Sequence, residues 1–319
     1  AALALLETLQ TIPRKPRNEQ AALNRLASWA YQYSSQVSIC AERHTLLLET
    51  AGSRRLFGSA KALIKRIRAD LQTLGYQVMP GIAPTPEAAH LAARHGLFIP
   101  AHADIRRTIG QLGIDQLNLQ KAQVQALQKM GFRHAAEVFR LPRKALARRL
   151  GISVSDYLDR LSGQRPEPLK TFRPPGRFSA GMDIPETGHT QALIFPLNRL
   201  LQELCGVLRA QDRGIQSLHI HLQTDEDTQK LCLNLQKPSR CEAHLLLILR
   251  ERLERLQLSR PVRHIDLRTP RFLACEIEQS GLLHDPDNPS TTSDSQLIER
   301  LQARLGTASV KGIQGLQDY

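Results

Sequence analysis

Residues 38–58 read SICAERHTLLLETAGSRRLFG, an apolar strand from Thr45 to Thr50 that runs through a Gly52–Ser53 turn into a helix. Strand-turn-helix units of this kind can carry the paired carboxylates of a two-metal phosphoryl-transfer site. Such a site needs several carboxylate oxygens around ions held roughly 3.5–4 Å apart. Here the two residues entering the strand are His44 and Thr45. Glu42 is the one nearby acid before the strand, and a single flexible Glu cannot hold two ions. The frame suits phosphoryl transfer, and the decisive side chains do not. No partner cluster accompanies His44, so it is expected as a surface or capping residue rather than a ligand.

The surrounding pattern predicts the elements that position this stretch. Residues 18–35 read as an amphipathic helix, with Leu23, Leu26, Ala27 and Ala30 at helical spacing. A helix over 59–74 opens at Ser59 and closes at Gly75. Residues 76–83, YQVMPGIA, read as a second strand, and a helix over 86–95 begins at Pro86 and ends at Gly96. This is an α/β layer that looks like part of a larger sheet. From residue 101 to 164 the pattern is helical, with segments 103–112, 119–130, 134–140, 142–150 and 154–162 punctuated by glycines. The Pro-rich basic stretch RPEPLKTFRPPGRF at 165–178 reads as an exposed linker. A βαββαβ pattern follows, with strands 177–184, 215–223, 229–236 and 262–268 and helices 190–211 and 240–257. It implies a four-stranded sheet with two helices on one face. One more helix is expected near Asp294–Leu305.

Composition bounds the function. The 319 residues suffice for two or three domains, and 41% hydrophobic with 4% aromatic residues describes an aliphatic-cored globular protein. No apolar run reaches the roughly 18 residues of a membrane span. The first residues, AALALLETLQTIPRK, lack Met, a basic leader and a cleavage site, and are expected to be a truncated or processed start inside a domain. Lys and Arg number 43 against 30 Asp and Glu, a net charge of +13 that favours a polyanionic partner, with nucleic acid the first candidate. Fifteen basic and six acidic residues lie between Pro100 and Phe178, so most of the surplus sits there. The five cysteines form no CxxC and have no His at finger spacing, which argues against structural zinc and fits a reducing compartment. In HIH at 219–221 the two rings share one strand face, with no third metal ligand in view.

The order of these segments resembles a Y-family translesion DNA polymerase from mid-palm through the little finger. LLLETAG at 46–52 matches a family palm strand, with Glu49 in place of Asp. PGIAPTPEAAHLAA at 80–93 matches the next palm helix, and LQKMGFRHAAEVFRLPRKALARRLG at 127–151 matches the thumb. The RLFG at 55–58 and the thumb wording most closely resemble the ImuB subgroup, Y-family-like proteins of a bacterial DNA-damage mutagenesis cassette. The resemblance implies an α/β and α+β multidomain chain: a partial palm and fingers remnant over 1–99, a helical thumb over 100–165, a basic linker over 166–176, a little-finger-like βαββαβ domain over 177–272, and a flexible segment with a C-terminal helix over 273–319. Active members carry S-x-D-E-x-x-L-D in the palm. Aligned on the strand, its Asp–Glu pair falls on His44 and Thr45; aligned on Ser38, it falls on Cys40 and Ala41. Neither supplies the pair. The place of the thumb's glycine-rich phosphate-gripping hairpin is LNLQKAQ at 117–123, which has no glycine, so Lys121 is left to compensate.

The candidate DNA contacts are therefore Lys121, Arg143, Lys144, Arg148 and Arg149 of the thumb, Lys170, Arg173 and Arg177 of the linker, and Arg263 of the last strand, where Arg260 and Arg268 also lie. Gln279, Leu282 and Leu283 resemble the Q-x-x-L-[LF] peptide with which polymerases dock on the sliding clamp. The expectation is a non-catalytic relative of Y-family polymerases that binds primer-template DNA without sequence preference. It needs no cofactor or metal and works in the bacterial cytoplasm at the nucleoid, in the SOS response to damage. By resemblance its partners are the sliding clamp, a replicative-type error-prone polymerase and a RecA-like accessory protein. The alternative is an active error-prone polymerase whose metal-binding N-terminal strand is missing from this chain.

Overall fold

A computed structural model describes residues 13–275, 294–305 and 310 of the chain. Among the described residues no helix is long and apolar enough to cross a membrane. Contacts divide the chain into two compact units, Ala1–Gln32 with Arg173–Tyr319, and Tyr33–Phe172.

The Tyr33–Phe172 unit opens with a hairpin. Strand β1 (Val37–Cys40) pairs antiparallel with β2 (Thr45–Leu48), placing Cys40 opposite Thr45. β1 is a partner that sequence periodicity does not reveal, because four residues give too short a window for alternation. Two helices follow, α2 (Arg54–Phe57) and α3 (Ala60–Thr73), the latter capped by the Ser59 hydroxyl on the Ala62 amide. The strand expected over 76–83 does not form. Its residues make one parallel bridge, Ile82 to Phe98. Pro80 has no N–H to give a ladder. A Cβ on Gly81 would lie 2.0 Å from the Ala93 nitrogen, so this backbone packs against α4 (Pro86–His95) instead of a strand. The expected larger sheet is thus, among the described residues of this unit, a two-stranded hairpin.

The helical region matches its expected segments within a few residues: α5 (His102–Ile109), α6 (Lys121–Lys129), α7 (Ala135–Phe139), α8 (Arg143–Leu150) and α9 (Ile152–Ser162). Their buried side chains join Leu91 and Ala92 of α4 in one core that includes Ile105, Ile109, Leu127, Val138, Leu146, Leu158 and Leu161. The outgoing chain is not a free linker at its start. Thr171 bridges Ser38, and the Phe172 amide donates to the Val37 carbonyl at 2.7 Å, so the chain adds to the open edge of β1.

The other unit contains the expected βαββαβ fold. Strands β3 (Phe178–Thr187), β4 (Arg213–Gln223), β5 (Thr228–Ser239) and β6 (Val262–Thr269) lie in the order β3-β6-β4-β5, every neighbour antiparallel, and the short β7 (Leu273–Ala274) pairs with the start of β4. Leu218, Ile220, Leu222, Leu233, Ile265 and Leu267 are buried on one face under α10 (Thr190–Ala210) and α11 (Glu242–Glu254). The final helix, α12 (Asp294–Leu305), is tied down by the buried pair His244–Glu299 at 2.5 Å.

The first helix, α1 (Pro16–Ala30), ends five residues earlier than expected and packs on α10. Arg25 meets the buried Glu203 at 2.7 Å, and the Trp29 indole fills the notch left by Gly206. A Cβ at Gly206 would lie 2.3 Å from Trp29 Cδ1. Gly206→Ala should therefore overpack this joint and cost about 1–3 kcal/mol in urea denaturation; an unchanged midpoint would show that α1 does not seat there.

Candidate nucleic-acid interface

The hairpin register places the positions at which the resemblance expects an Asp–Glu pair. Cys40 and Thr45 are directly opposite, joined by a one-turn 3-10 helix over Ala41–Arg43 and by His44 in the left-handed region at φ 48°. Both alignments of the missing Asp–Glu pair, Cys40–Ala41 and His44–Thr45, thus converge on one hairpin tip. Glu49, the other acid of this stretch, accepts the Ala51 amide at 2.7 Å and fixes the turn after β2. Among the described residues no group of three or more His, Cys, Asp or Glu is placed to hold a metal ion.

The tip is organised by a cation instead. Arg43 Nη1 and Nη2 each donate at 3.0 Å to the two carboxylate oxygens of Glu87 on α4, which is 2% exposed. Arg160 of α9 lies 4.0 Å from the same carboxylate. Burial and the Arg43 charge push the nearby His90 below its ordinary range, favouring the neutral ring. Burial, then repulsion by Glu87, raises the Glu167 carboxyl above its ordinary value, and its Oε2 is buried with no hydrogen-bond partner.

In the loop over residues 117–123, expected in the place of a phosphate-gripping hairpin, the amides of Asn118, Leu119 and Gln120 are engaged. Asn118 N donates to the Tyr157 hydroxyl at 3.1 Å, Leu119 N to the Leu117 carbonyl at 2.9 Å, and Gln120 N to Gln123 Oε1 at 3.0 Å. Donors satisfied in this way are not available to a phosphate without breaking internal bonds. Lys121 is exposed at the first position of α6 and has no acidic partner among the described residues.

The remaining candidates divide by partner. Arg143 is held by Asp159 at 2.7 Å, Arg263 by Glu186 at 2.7 Å and by Asp225, and Arg149 donates to Met130 Sδ at 3.6 Å. Lys144, Arg148, Lys170, Arg173 and Arg177 are exposed and have no ion pair among the described residues. Gln279, Leu282 and Leu283 lie outside the described residues.

The sheet also presents a surface that the sequence reading did not assemble. Opposite its helix-covered face, the pairing aligns three cross-strand rows: Ser179–Arg268–His219–Cys232, Gly181–Asp266–His221–Lys230 and Asp183–His264–Gln223–Thr228. Asp266 is the hub. It accepts from Gln223 Nε2 at 2.9 Å and Arg268 Nη2 at 3.1 Å, and lies 3.8 Å from His264. Gly181 makes this possible, since a Cβ there would lie 2.6 Å from Asp266 Oδ1 and 2.7 Å from His264 Nε2. Burial and the neighbouring Arg268 push His221 below its ordinary range. The signal available in sequence was the alternation of HIHLQ. That β6 lies beside β4, and that this face is open, comes only from the pairing.

Two outcomes follow. Arg43→Ala leaves a buried carboxylate without its main partner and should cost about 3–5 kcal/mol in denaturation experiments; a loss below about 1 kcal/mol would mean that the pair does not organise the tip. Because the folded-state value of Glu167 is raised, its ionisation opposes folding. Stability should therefore fall as pH rises from the ordinary carboxylate range through that raised value. Glu167→Gln should remove the fall and stabilise the protein at neutral pH, as read from melting curves across pH.

Comparison with known proteins gives matches over part of the chain. Residues 1–94 match the impB/mucB/samB family. Over 176 residues the chain is 32% identical to Protein ImuB of two Caulobacter vibrioides strains, NA1000 / CB15N and ATCC 19089 / CIP 103742 / CB 15, a match covering 54% of this chain and 38% of each relative. The chain thus spans less than half the length of the curated relatives it matches. Among solved structures it is distantly similar to an insertion ternary complex of Dbh DNA polymerase, with TM-score 0.46, 14% identity, and 85% and 81% of the two chains covered. It is similarly distant from DinB from Sulfolobus solfataricus, with TM-score 0.44, 14% identity, and 86% and 82% covered. Residues 1–94 thus match the impB/mucB/samB family, and the chain is similar to Protein ImuB over about half of its own length.

Proposed function

We propose that this chain is a non-catalytic Y-family relative that serves as a DNA-binding adaptor in damage-induced translesion synthesis. The observation that carries the reading is the hairpin tip. The positions where the resemblance expects an adjacent Asp–Glu pair hold Cys40, Ala41, His44 and Thr45, and the tip's guanidinium is bound to Glu87. A tip built this way supports a scaffold and offers no pair of carboxylates to two divalent ions.

DNA binding in this reading is electrostatic. Lys121, Lys144, Arg148, Arg149, Lys170, Arg173 and Arg177 are exposed cations that supply it, while Arg143 and Arg263 first have to leave internal ion pairs. Gln279, Leu282 and Leu283 dock on the sliding clamp, and the bound chain recruits a replicative-type error-prone polymerase and a RecA-like accessory protein at the nucleoid. The clamp pocket would take two large apolar side chains, with the Gln hydrogen-bonding its rim.

Primer extension with Mg²⁺ or Mn²⁺ is the direct test, run on the full-length protein. No incorporation is expected, and templated extension would replace this reading with the active-polymerase alternative. Neutralising about five phosphates should give a log–log salt slope of about −4 to −5; a salt-insensitive affinity contradicts the electrostatic account. Replacing Gln279, Leu282 and Leu283 with Ala should abolish clamp binding in a pull-down, and retained binding sinks that assignment.

A further inference from the structure

We infer that α12 (Asp294–Leu305) is a docking helix for a partner protein whose apolar groove is edged by carboxylates. The inference stands apart from the DNA and clamp contacts proposed above.

The helix is mounted with its polar side inward. An amphipathic helix ordinarily turns its apolar stripe to the core. In α12 the buried residues are Glu299 and Ala303, with Gln302 partly buried beside them. Leu297, Ile298 and Leu301 instead face solvent, at 51%, 38% and 38% exposed. At 3.6 residues per turn these three fall within one stripe about 100° wide. Single exposed leucines are commonplace, whereas a contiguous stripe along a docked helix is the pattern of an interaction surface.

Hydrogen bonding holds this orientation. The register of β5 against β4 is irregular between the pairs Ile215–Ser239 and Ser217–Asn234. Gln236 lies within that irregularity, and its amide donates to Glu299 Oε1 at 2.5 Å. Glu299 Oε2 meets His244 Nε2 of α11 at 2.5 Å, and Gln236 Nε2 donates to Gln302 Oε1 at 3.4 Å. Rolling α12 over to bury its leucines would break all three bonds and leave the Gln236 amide and His244 against apolar side chains. The stripe is therefore displayed by construction.

Charge selects the occupant. Arg300 and Arg304 are exposed along one edge of the stripe and have no ion pair among the described residues. From Leu297 to Leu305 the one acid is Glu299, which is turned inward. A second copy packing antiparallel on this face would set these arginines against each other, a like-charge cost. Carboxylates along a partner's groove would pair with them, while Leu297 and Leu301, four residues apart, fill successive pockets. An anionic lipid surface fits less well. Three turns with cations on one edge make a narrow anchor, and the polar side of the helix is fixed to protein instead of headgroups.

The test uses the full chain and two synthetic helical peptides with leucines at coiled-coil spacing, one flanked by glutamates and the other by lysines. Fluorescence anisotropy should show binding of the glutamate peptide and not of the lysine peptide. Leu297→Asp/Leu301→Asp should weaken that binding roughly tenfold or more, with an unchanged melting temperature because both side chains are exposed. Arg300→Glu/Arg304→Glu should reverse the preference between the peptides. Glutamate-peptide binding that survives Leu297→Asp/Leu301→Asp would be adsorption to the net charge of +13 and overturns the inference. So does binding of neither peptide, or a charge reversal without effect. Dimerisation in sedimentation that Leu297→Asp/Leu301→Asp abolishes would assign the stripe to a second copy. Binding to phosphatidylserine vesicles that the same variant abolishes would assign it to a membrane; either result overturns the inference. A chain that binds DNA and clamp but neither peptide overturns this inference alone, and one that binds the glutamate peptide but no DNA leaves it standing and overturns only the DNA-binding reading.

Discussion

A carboxylate taken out of water must be paired, and Glu87 is the buried carboxylate around which the Tyr33–Phe172 unit is arranged. Its two oxygens receive the Arg43 fork from the hairpin tip, and Arg160 approaches from α9. Glu167, from the chain beyond α9, completes the group at an electrostatic cost. One residue of α4 thereby ties together elements far apart in sequence. Removing the fork would strand a charge in a low-dielectric interior, so the tip is held in one arrangement.

That arrangement gives the hairpin its meaning. A two-metal tip presents paired carboxylates to cations, whereas here the tip's Arg43 guanidinium is satisfied internally by Glu87. The loop over residues 117–123 follows the same logic. Asn118, Leu119 and Gln120 direct their amides to partners within the protein. Where a glycine-rich turn would keep its donors open, this sequence closes them with a tyrosine hydroxyl, a carbonyl and a glutamine side chain. In both places polar groups find their partners within the protein.

The sheet shows the opposite choice. One face is sealed by leucines and isoleucines under α10 and α11. The other keeps a polar network around Asp266 that makes no contribution to the apolar core. Gly181 is part of that choice, because any side chain there would occupy the space of Asp266 and His264. At the α1–α10 joint a second glycine, Gly206, serves packing instead, admitting Trp29.

Much of the fold was legible in the amino-acid sequence. The helix over 86–95, the helices between residues 102 and 162 and the βαββαβ strands carry strong local signals in apolar period, Pro at a helix start and Gly at its end, and they form within a few residues of where those signals put them. The absence of an Asp–Glu pair and the clustering of positive charge are likewise properties of the sequence alone. Residues 76–83 mislead because their strand-like composition hides a proline and a glycine whose use depends on α4. β1 escapes because a four-residue strand is defined by its partner and not by its own period. The pairing of Arg43 with Glu87, the engagement of the loop amides, the division of cations into paired and exposed, and the rows of the open sheet face join residues distant in sequence. Local patterning carries no record of such contacts; burial and strand register create them, so only the tertiary structure decides them.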